Sequence, residues 1–477
     1  MSKNDLKALL EEASNISRFL LEEVSKGSNF FILTHFDADG LIAGSILASS
    51  LTRLKASFHL RVVKDLNEEL IDDVLKTRHD ILIFSELGSG YLDIIRKKGP
   101  KGKTVVIDHH PPIGDTNEAL HHINPNLYGF DGSKELSGAG TVYLVAREMS
   151  SNNSDLAALA VIGALGDMQD KNERRKLEGL NTLIVDEAIN SGFLSEETDL
   201  IFFGRETRPL HKAIASTTSP FLPRLSGRED RCLSLLSSVN IPLKKNGDWR
   251  TVSELTSDEK QRLISKIIEH LSTEGQDGKI AKNLIGTVYT LLKEDAGTPL
   301  RDAREYAVAL NACGRMGRYG LGVSISLGDR KSALAVEEVL KEYRLTLAKC
   351  MELVSENQNL IQELSHIIVV RGETEIDENM SGAIASMLSV SYDFNINKAL
   401  LVVTKTEDNI IKVSARAKDE LLINQSIDLG KILGEVSSRY DGLGGGHRVA
   451  AGAKIPSEKL DSFLKDVNNE IASHKEK

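Results

Sequence analysis

An α/β fold built on a parallel, doubly wound sheet is the architecture this sequence predicts, on three observations. Short, continuous apolar runs alternate with helical patterns between residues 29 and 190, as they do where helices cover both faces of a parallel sheet. Three of those runs stop abruptly at acids and histidines. Strand-like runs return beyond residue 365, after a long and mostly helical stretch. A smaller second α/β domain is expected there.

Taken in order, the N-terminal MSKNDLKALLEEASNISRFLLEEVSKG reads as an amphipathic helix with charges throughout and no secretory apolar core. The apolar runs FFILTH, FHLRVV, HDILIFSE and KTVVIDHH read as strands, and LIAGSILASSLTRL as the helix after the first. SDEKQRLISKIIEHLSTEG and TPLRDAREYAVALNACGR are the clearest helices of the middle segment. A long helix follows over about 330–358, and it reads as a strut between domains. HIIVVRG, KALLVVTK and IIKVSARA are strands again, with the helical SGAIASMLSVSY between the first two. The 477 residues thus divide into an N-terminal helix (1–28), a sheet domain (29–190), a mainly helical insert (191–330), a connecting helix (331–358) and a C-terminal α/β domain (359–477). That length suits two or three domains, and no internal repeat is visible.

Net charge is −10, which excludes a uniformly basic coat for nucleic acid but leaves room for a local basic groove. Cys232, Cys313 and Cys350 are few and far apart. They form no zinc pattern and no disulfide framework, so a reducing, cytoplasmic setting is expected. No stretch is long and apolar enough to span a membrane. Aromatic residues are 5% of the chain and Trp249 is the sole tryptophan, expected to pack locally in KKNGDWRTVSEL. Base-stacking platforms are therefore not predicted.

The chemistry gathers at strand ends. FFILTHFDAD supplies His35, Asp37 and Asp39; ILIFSE supplies Glu86; TVVIDHH supplies Asp108, His109 and His110. Ligands in open parallel sheets bind at the carboxyl ends of strands, so neighbouring strands would bring these side chains to one crevice. Asp167 closes the apolar helix DLAALAVIGALGD and can reach the same place. Each piece alone has a plain reading: Asp-x-Asp-Gly is commonly an Asx-turn loop, and a strand-end Glu is commonly solvated. Together they crowd carboxylates that repel at low dielectric. One or two bound divalent cations would remove the repulsion. Mixed His and carboxylate ligands suit Mn²⁺, Zn²⁺ or Fe better than Ca²⁺, and paired metals are the usual arrangement for in-line attack on phosphorus.

HFDADG, VVIDHHPP, GALGDM and the late GLGGGHRVAAGAKIP occur in that order. With them the chain resembles the DHH phosphoesterase superfamily, RecJ branch, over about 29–470. INPNLYGFDGSKELSGAGTVYLVA, FFGRETRPL and LNACGRMGRYGLGV resemble its archaeal RecJ-like members, including the GINS-associated nuclease. The resemblance implies that His35 and Asp37 hold one metal and Asp39 and His109 the other, with Asp167 as a further ligand. Glu86 would bridge the two, Asp108 would orient a neighbour, and His110 would face the scissile phosphate. The expected cofactor is a pair of divalent cations, Mn²⁺ first and Mg²⁺ second. Gly444, Gly445 and Gly446 would form a phosphate-binding turn beside His447 and Arg448, with Arg416 gripping the strand backbone. Arg205 and Arg208 have two open readings, as a substrate channel lining or as partners of nearby acids.

One position departs from the pattern: the second motif normally supplies Asp, and here FSELGSG supplies Glu86. Glu can bridge metals, although a displaced bridge can cost about a hundredfold in rate. The implied activity is exonucleolytic hydrolysis of single-stranded DNA or RNA in a cleft between two α/β domains, with GINS and the replicative helicase as partners. The alternative is a non-catalytic scaffold of the helicase complex, as one relative in the superfamily has become. A small-substrate phosphodiesterase is disfavoured by the insert.

Overall fold

The computed structural model describes residues 3–99, 102–114, 120–217, 220–275, 278–390, 398–406, 408–417 and 427–475. The last two residues of the expected SGAIASMLSVSY helix, 391 and 392, lie outside them. The chain forms two compact units, Met1–Leu340 and Lys341–Lys477.

The first unit opens with α1 (Lys3–Ser25) and a five-stranded sheet: β1 (Phe30–His35), β2 (Phe58–Val63), β3 (Ile81–Ser85), β4 (Thr104–Ile107) and β5 (His121–Ile123). The order is β2-β1-β3-β4-β5 and every pairing is parallel. The chain winds outward from β1 to β2, then returns past β1 to β3. That reversal opens a crevice at the carboxyl ends of β1 and β3. Helices α2 (Ala38–Arg53), α3 (Glu68–Leu75) and α4 (Leu92–Lys98) supply the crossovers, and α5 (Gly138–Met149), α6 (Ala157–Gly166) and α7 (Asn181–Asn190) follow. Phe31, Leu33, Leu82, Phe84 and Val106 form one buried face with Ile71, Val74 and Ile95 of α3 and α4. On the other face, α2 lies so close that a Cβ at Gly44 would sit 2.7 Å from the Thr34 methyl. Strand β5 is short, and its histidines hid it in the sequence.

The segment expected to be mainly helical also contains strands. Beyond β6 (Leu194–Leu200) come α8 (Leu210–Ala215), α9 (Glu229–Ser238), β7 (Lys244–Lys245), β8 (Asp248–Trp249), α10 (Ser257–Thr273) and β9 (Ile285–Leu291). β6 pairs antiparallel with β9 although they are far apart in sequence. LSEETDL carries five adjacent polar residues, which masked it as a strand. Its acids are engaged: Lys176 Nζ meets Glu196 Oε1 at 2.5 Å. α10 starts with a capping box between Thr256 and Glu259. Trp249 is exposed; it packs locally under Lys244 Nζ, 4.8 Å from the ring centre, and also against His211 of α8, outside its own segment. Helices α11 (Ala303–Arg315), α12 (Tyr319–Ser326) and α13 (Ala333–Glu356) follow, and the division between units falls within α13.

The second unit holds β10 (Ile361–Glu363), β11 (Ile367–Arg371), α14 (Ser381–Val390), β12 (Ala399–Lys405), β13 (Ile410–Arg416), α15 (Leu429–Ser438), β14 (Leu443–His447), β15 (Ala450–Pro456) and α16 (Leu460–Lys475). Its six-stranded sheet runs β10-β11-β12-β13-β15-β14. Ile367, Val369, Leu401, Val413, Leu433 and Phe463 anchor its core. Among the described residues, no helix is long and apolar enough to cross a membrane.

Candidate metal centre

The site begins where β1 turns into α2. Asp37 caps the helix, its Oδ1 accepting the Gly40 N–H at 2.9 Å. The turn is tight because residue 40 is glycine: a Cβ there would lie 2.4 Å from the His35 carbonyl oxygen. α11 holds the turn from outside. Asn311 Oδ1 accepts the Ala38 N–H at 3.1 Å, and a Cβ at Gly314 would lie 2.0 Å from the Phe36 carbonyl oxygen.

At the end of β3, Glu86 has a φ of 58°. A left-handed backbone at such a residue costs roughly 1–3 kcal/mol, so its surroundings must hold it. The Glu86 N–H donates to the Ile107 carbonyl at 2.8 Å. Its stem lies on Gly138, where a Cβ would meet Glu86 Cγ at 2.3 Å. Gly138 therefore makes room for the longer acid. The Gly138 and Ala139 N–H groups donate to Asp39 Oδ2 and Oδ1 at 2.7 and 3.0 Å, so the N-terminus of α5 receives the Asp39 carboxylate.

After β4, Asp108 organises the turn. Its Oδ1 accepts the His109 N–H at 2.7 Å and faces His110 Nδ1 at 2.9 Å, and its Oδ2 accepts the Ser89 N–H at 2.8 Å. Asn126 Nδ2 donates to the His109 carbonyl at 2.7 Å, and Asn124 Nδ2 to the His110 carbonyl at 2.8 Å. His109 Nδ1 donates to the Gly132 carbonyl at 2.7 Å, which fixes the tautomer and leaves Nε2 bare. Asp167 caps the end of α6.

Glu86 stands in the middle of this arrangement. Its Oε2 is 3.2 Å from His35 Nδ1, and its Oε1 is 3.5 Å from His109 Nε2 and 3.8 Å from His110 Nε2. His35 Nδ1 is also 3.1 Å from Asp37, and His109 Nε2 is 3.7 Å from Asp39. His109 Nδ1 lies 3.8 Å from Asp167. Two ligand groups emerge, His35–Asp37–Glu86 and Asp39–His109–Asp167, each with its atoms within 4.8 Å of one another. Glu86 also groups with His109 and His110, which ties the halves together. His35 Nδ1, Glu86 Oε2 and His109 Nε2 are buried without a hydrogen-bond partner among the described residues. Three bare atoms of nitrogen and oxygen type, aimed inward among carboxylates, fit divalent cations.

Electrostatics agree. Burial raises Asp39, and the charges of Glu86, Asp167 and Asp37 add to it against His109, leaving Asp39 at about 8. Asp167 is raised by burial too. Burial would lower His35, yet Asp37 and Glu86 outweigh it and raise its pKa; burial likewise loses at His109, to Glu86, Asp167 and Asp39. His110 also ends raised, with burial and His109 opposing Asp108 and Glu86. Burial opposes ionisation of Asp37 and Asp108, but their histidine partners hold both low. Protons do here the neutralising that cations would do better.

The C-terminal candidates are placed differently. Gly444, Gly445, Gly446 and His447 lie in the edge strand β14, not in the expected turn. Their glycines serve close packing: a Cβ at Gly444 would lie 2.5 Å from the Leu433 carbonyl of α15, and one at Gly430 would lie 2.2 Å from the Gly446 carbonyl. Arg448 follows the strand, its Nε donating to the Ile427 carbonyl at 3.0 Å. Arg416 ends β13 and turns to α14, donating to Ser386 Oγ at 2.9 Å. Arg205 belongs to a buried ion-pair cluster with Asp199, Glu206 and Glu197. Arg208 covers the Phe203 ring at 4.5 Å and donates to Ser216. Sequence reasoning missed Gly138, Asn124, Asn126, Gln169 and Asn311. Nothing in their spacing announces the groups they hold, though INPN and GDMQD place three of these five beside the motifs or their strands.

Three family models match the chain: the DHH family N-terminal domain over residues 29–164, the DHH-CID domain over 202–285 and the DHHA1 domain over 364–473. An uncharacterized protein of Methanocaldococcus jannaschii is 31% identical over 469 residues, covering 97% of this chain and 98% of its own. RecJ of Thermus thermophilus, solved with Mn²⁺, superposes with a TM-score of 0.57 at 19% identity, over 98% of this chain and 55% of that one. The chain thus spans about half the length of that protein. CDC45 of Entamoeba histolytica superposes with a TM-score of 0.63 at 12% identity, over 97% of this chain and 99% of that one. At such identities the likeness to the two structures is one of fold.

Proposed function

Its DHH, DHH-CID and DHHA1 domains place the chain in the DHH family, with a RecJ-like fold, and on that premise we propose that it is a two-cation phosphodiesterase that degrades single-stranded nucleic acid from an end. The observation that carries this reading is the position of Glu86, one carboxylate oxygen beside His35 and the other beside His109. His35, Asp37 and Glu86 would hold one cation, and Asp39, His109, Asp167 and Glu86 the other, with Mn²⁺ preferred and Mg²⁺ as second choice. Bound there, the cations would supply an acidified water and positive charge for the phosphate oxygens.

The chain's own groups do the rest. Asp108 holds His110 through Nδ1 with Nε2 on the Glu86 side of the centre, where the ring would donate to a phosphate oxygen as charge develops on it. The His110 side chain is 41% exposed, so a substrate can reach it. Asp108 is fully buried and bonded on both oxygens, which suits a positioning role. We assign catalysis to residues 29–190 and strand binding to 359–477, with Arg416, His447 and Arg448 on the phosphates. Binding through phosphates makes affinity salt-dependent and nearly blind to base identity. GINS and the replicative helicase are the partners we propose, on the motif resemblance. A scaffold kept only for binding has no physical use for crowded, buried acids, which favours an enzyme.

The test is incubation with strands labelled at either end, with Mn²⁺. A ladder from one end is expected. Intact strands from both ends, at any Mn²⁺ concentration that saturates the site, would overturn the reading.

A further inference from the structure

We infer that Gln169 is a positioning residue for one half of the centre, holding Asp167 directly and His109 through the Gly132 carbonyl. The inference rests on the two-cation reading above. It begins with the end of α6. The Met168 N–H donates to Leu165 at 3.1 Å and the Gln169 N–H to Ala164 at 3.0 Å, while Met168 takes a φ of 56°. This is the paired closure of a left-handed helix end, made here at a cost by a residue other than glycine. It fixes where Gln169 starts.

The side chain is 4% exposed and fully engaged. Its Nε2 has two hydrogens and gives one to Asp167 Oδ2 at 2.9 Å and one to the Gly132 carbonyl at 2.8 Å. Its Oε1 accepts from Asn181 Nδ2 at 2.7 Å. The opposite amide orientation would set Oε1 against two acceptors, so the network itself selects this one. The same Gly132 carbonyl accepts His109 Nδ1–H. One amide therefore orients a carboxylate and, through one shared oxygen, braces the ring whose Nε2 faces Asp39 and Glu86. Among the described residues, its side-chain hydrogen bonds go to Asp167, Gly132 and Asn181 and not to the His35–Asp37 half. Gln suits the task because it is neutral: a Glu would add another acid to the cluster and remove both donors.

Calorimetric titration of metal-free protein with Mn²⁺ tests this. Gln169→Met keeps the length and loses the donors. Two sites are expected in the wild type. In Gln169→Met one site should weaken about ten- to a hundredfold, the range for a residue that orients a ligand, while the other holds its affinity. His35→Ala identifies the halves: the site it leaves should be the one Gln169→Met weakens. Should Gln169→Met fail to fold, Asn181→Ala removes the bond that orients the amide, and the same site should weaken less. Equal weakening of both sites, or no change in either, would overturn the inference and leave the two-cation reading standing. A wild type that binds no Mn²⁺ would overturn that reading itself, and the inference with it.

Discussion

Two clusters of buried charge lie in the first unit, and they differ in how they are balanced. In the insert, Arg205 meets Asp199, Glu206 and Glu197, and Lys260 Nζ adds a second cation on Asp199 at 2.6 Å. The neighbouring Glu305 carboxylate accepts the Glu206 N–H and, at 2.6 Å, the Thr207 hydroxyl. Most acids there face arginine, lysine or donors, although Arg205 Nε has no hydrogen-bond partner among the described residues and Glu305 is pushed up to about 7 by burial and by Asp302 and Glu206. At the ends of β1, β3 and β4, carboxylates face one another and three histidines, and three inward atoms have ion-pair neighbours but no hydrogen-bond partner among the described residues. Burying a charge is tolerable when it is paired and expensive otherwise. The balanced cluster explains itself as structure. In the other, protons on the raised histidines and on Asp39 do the balancing, and its side chains are of a kind that could hold metal in their place.

Substitutions can break this comparison. The largest effect belongs to Glu86→Ala, which removes the acid shared by both halves. Metal-dependent cleavage should vanish and Mn²⁺ affinity should fall. Cleavage at the wild-type rate would mean that Glu86 bridges nothing. Next comes Arg205→Met, which strands Glu206 and leaves Asp199 with Lys260 alone. Denaturant unfolding should show a loss of about 3–5 kcal/mol, with Mn²⁺ affinity of the folded protein unchanged. A changed Mn²⁺ affinity would show that the two clusters are not independent.

Glu86→Asp sharpens the contrast between this chain and the usual acid. Gly138 clears space for the Glu86 stem, and the left-handed backbone is fitted to it. The shorter acid should fail to reach one half, and cleavage should slow by about a hundredfold. A faster variant would show that Glu86 is a compromise and not a fitted ligand.

The smallest effect is in pH. Asp39 in the folded, metal-free protein titrates near 8, whereas in the unfolded chain it releases its proton near 3.9. Between those values the folded state binds more protons, so stability falls as pH rises from about 4 to about 8. The raised His35 and His109 act in the same direction above about 6.5. Asp37 and Asp108, held low, add stability that is lost only below about 4. Melting of EDTA-treated protein should therefore decline across pH 5–8. Mn²⁺ at a hundred times Kd should add about 2.7 kcal/mol and flatten the slope at the alkaline end. A rising slope would contradict the shifted Asp39.

The sheet and the convergence of side chains at its strand ends were legible because both signals are local. An apolar run such as FFILTH followed by HFDADG encodes a buried strand and its functional end within ten residues. β6 and β14 were not legible, for opposite reasons. β6 is polar and becomes a strand only by pairing with the distant β9. β14 is three-fifths glycine, with α15 packed closely against it at Gly444 and Gly446. The supporting residues were hidden for a third reason. Gln169, Asn124 and Asn126 act by side chain on backbone carbonyls, and a carbonyl leaves no mark in sequence.

The central claim is that the unbalanced cluster is a two-cation site, and metal stoichiometry tests it most directly. Metal-free protein dialysed against Mn²⁺, then analysed for manganese per chain, should carry two ions in the wild type and fewer in Glu86→Ala. No bound manganese, or two ions in both proteins, would contradict it.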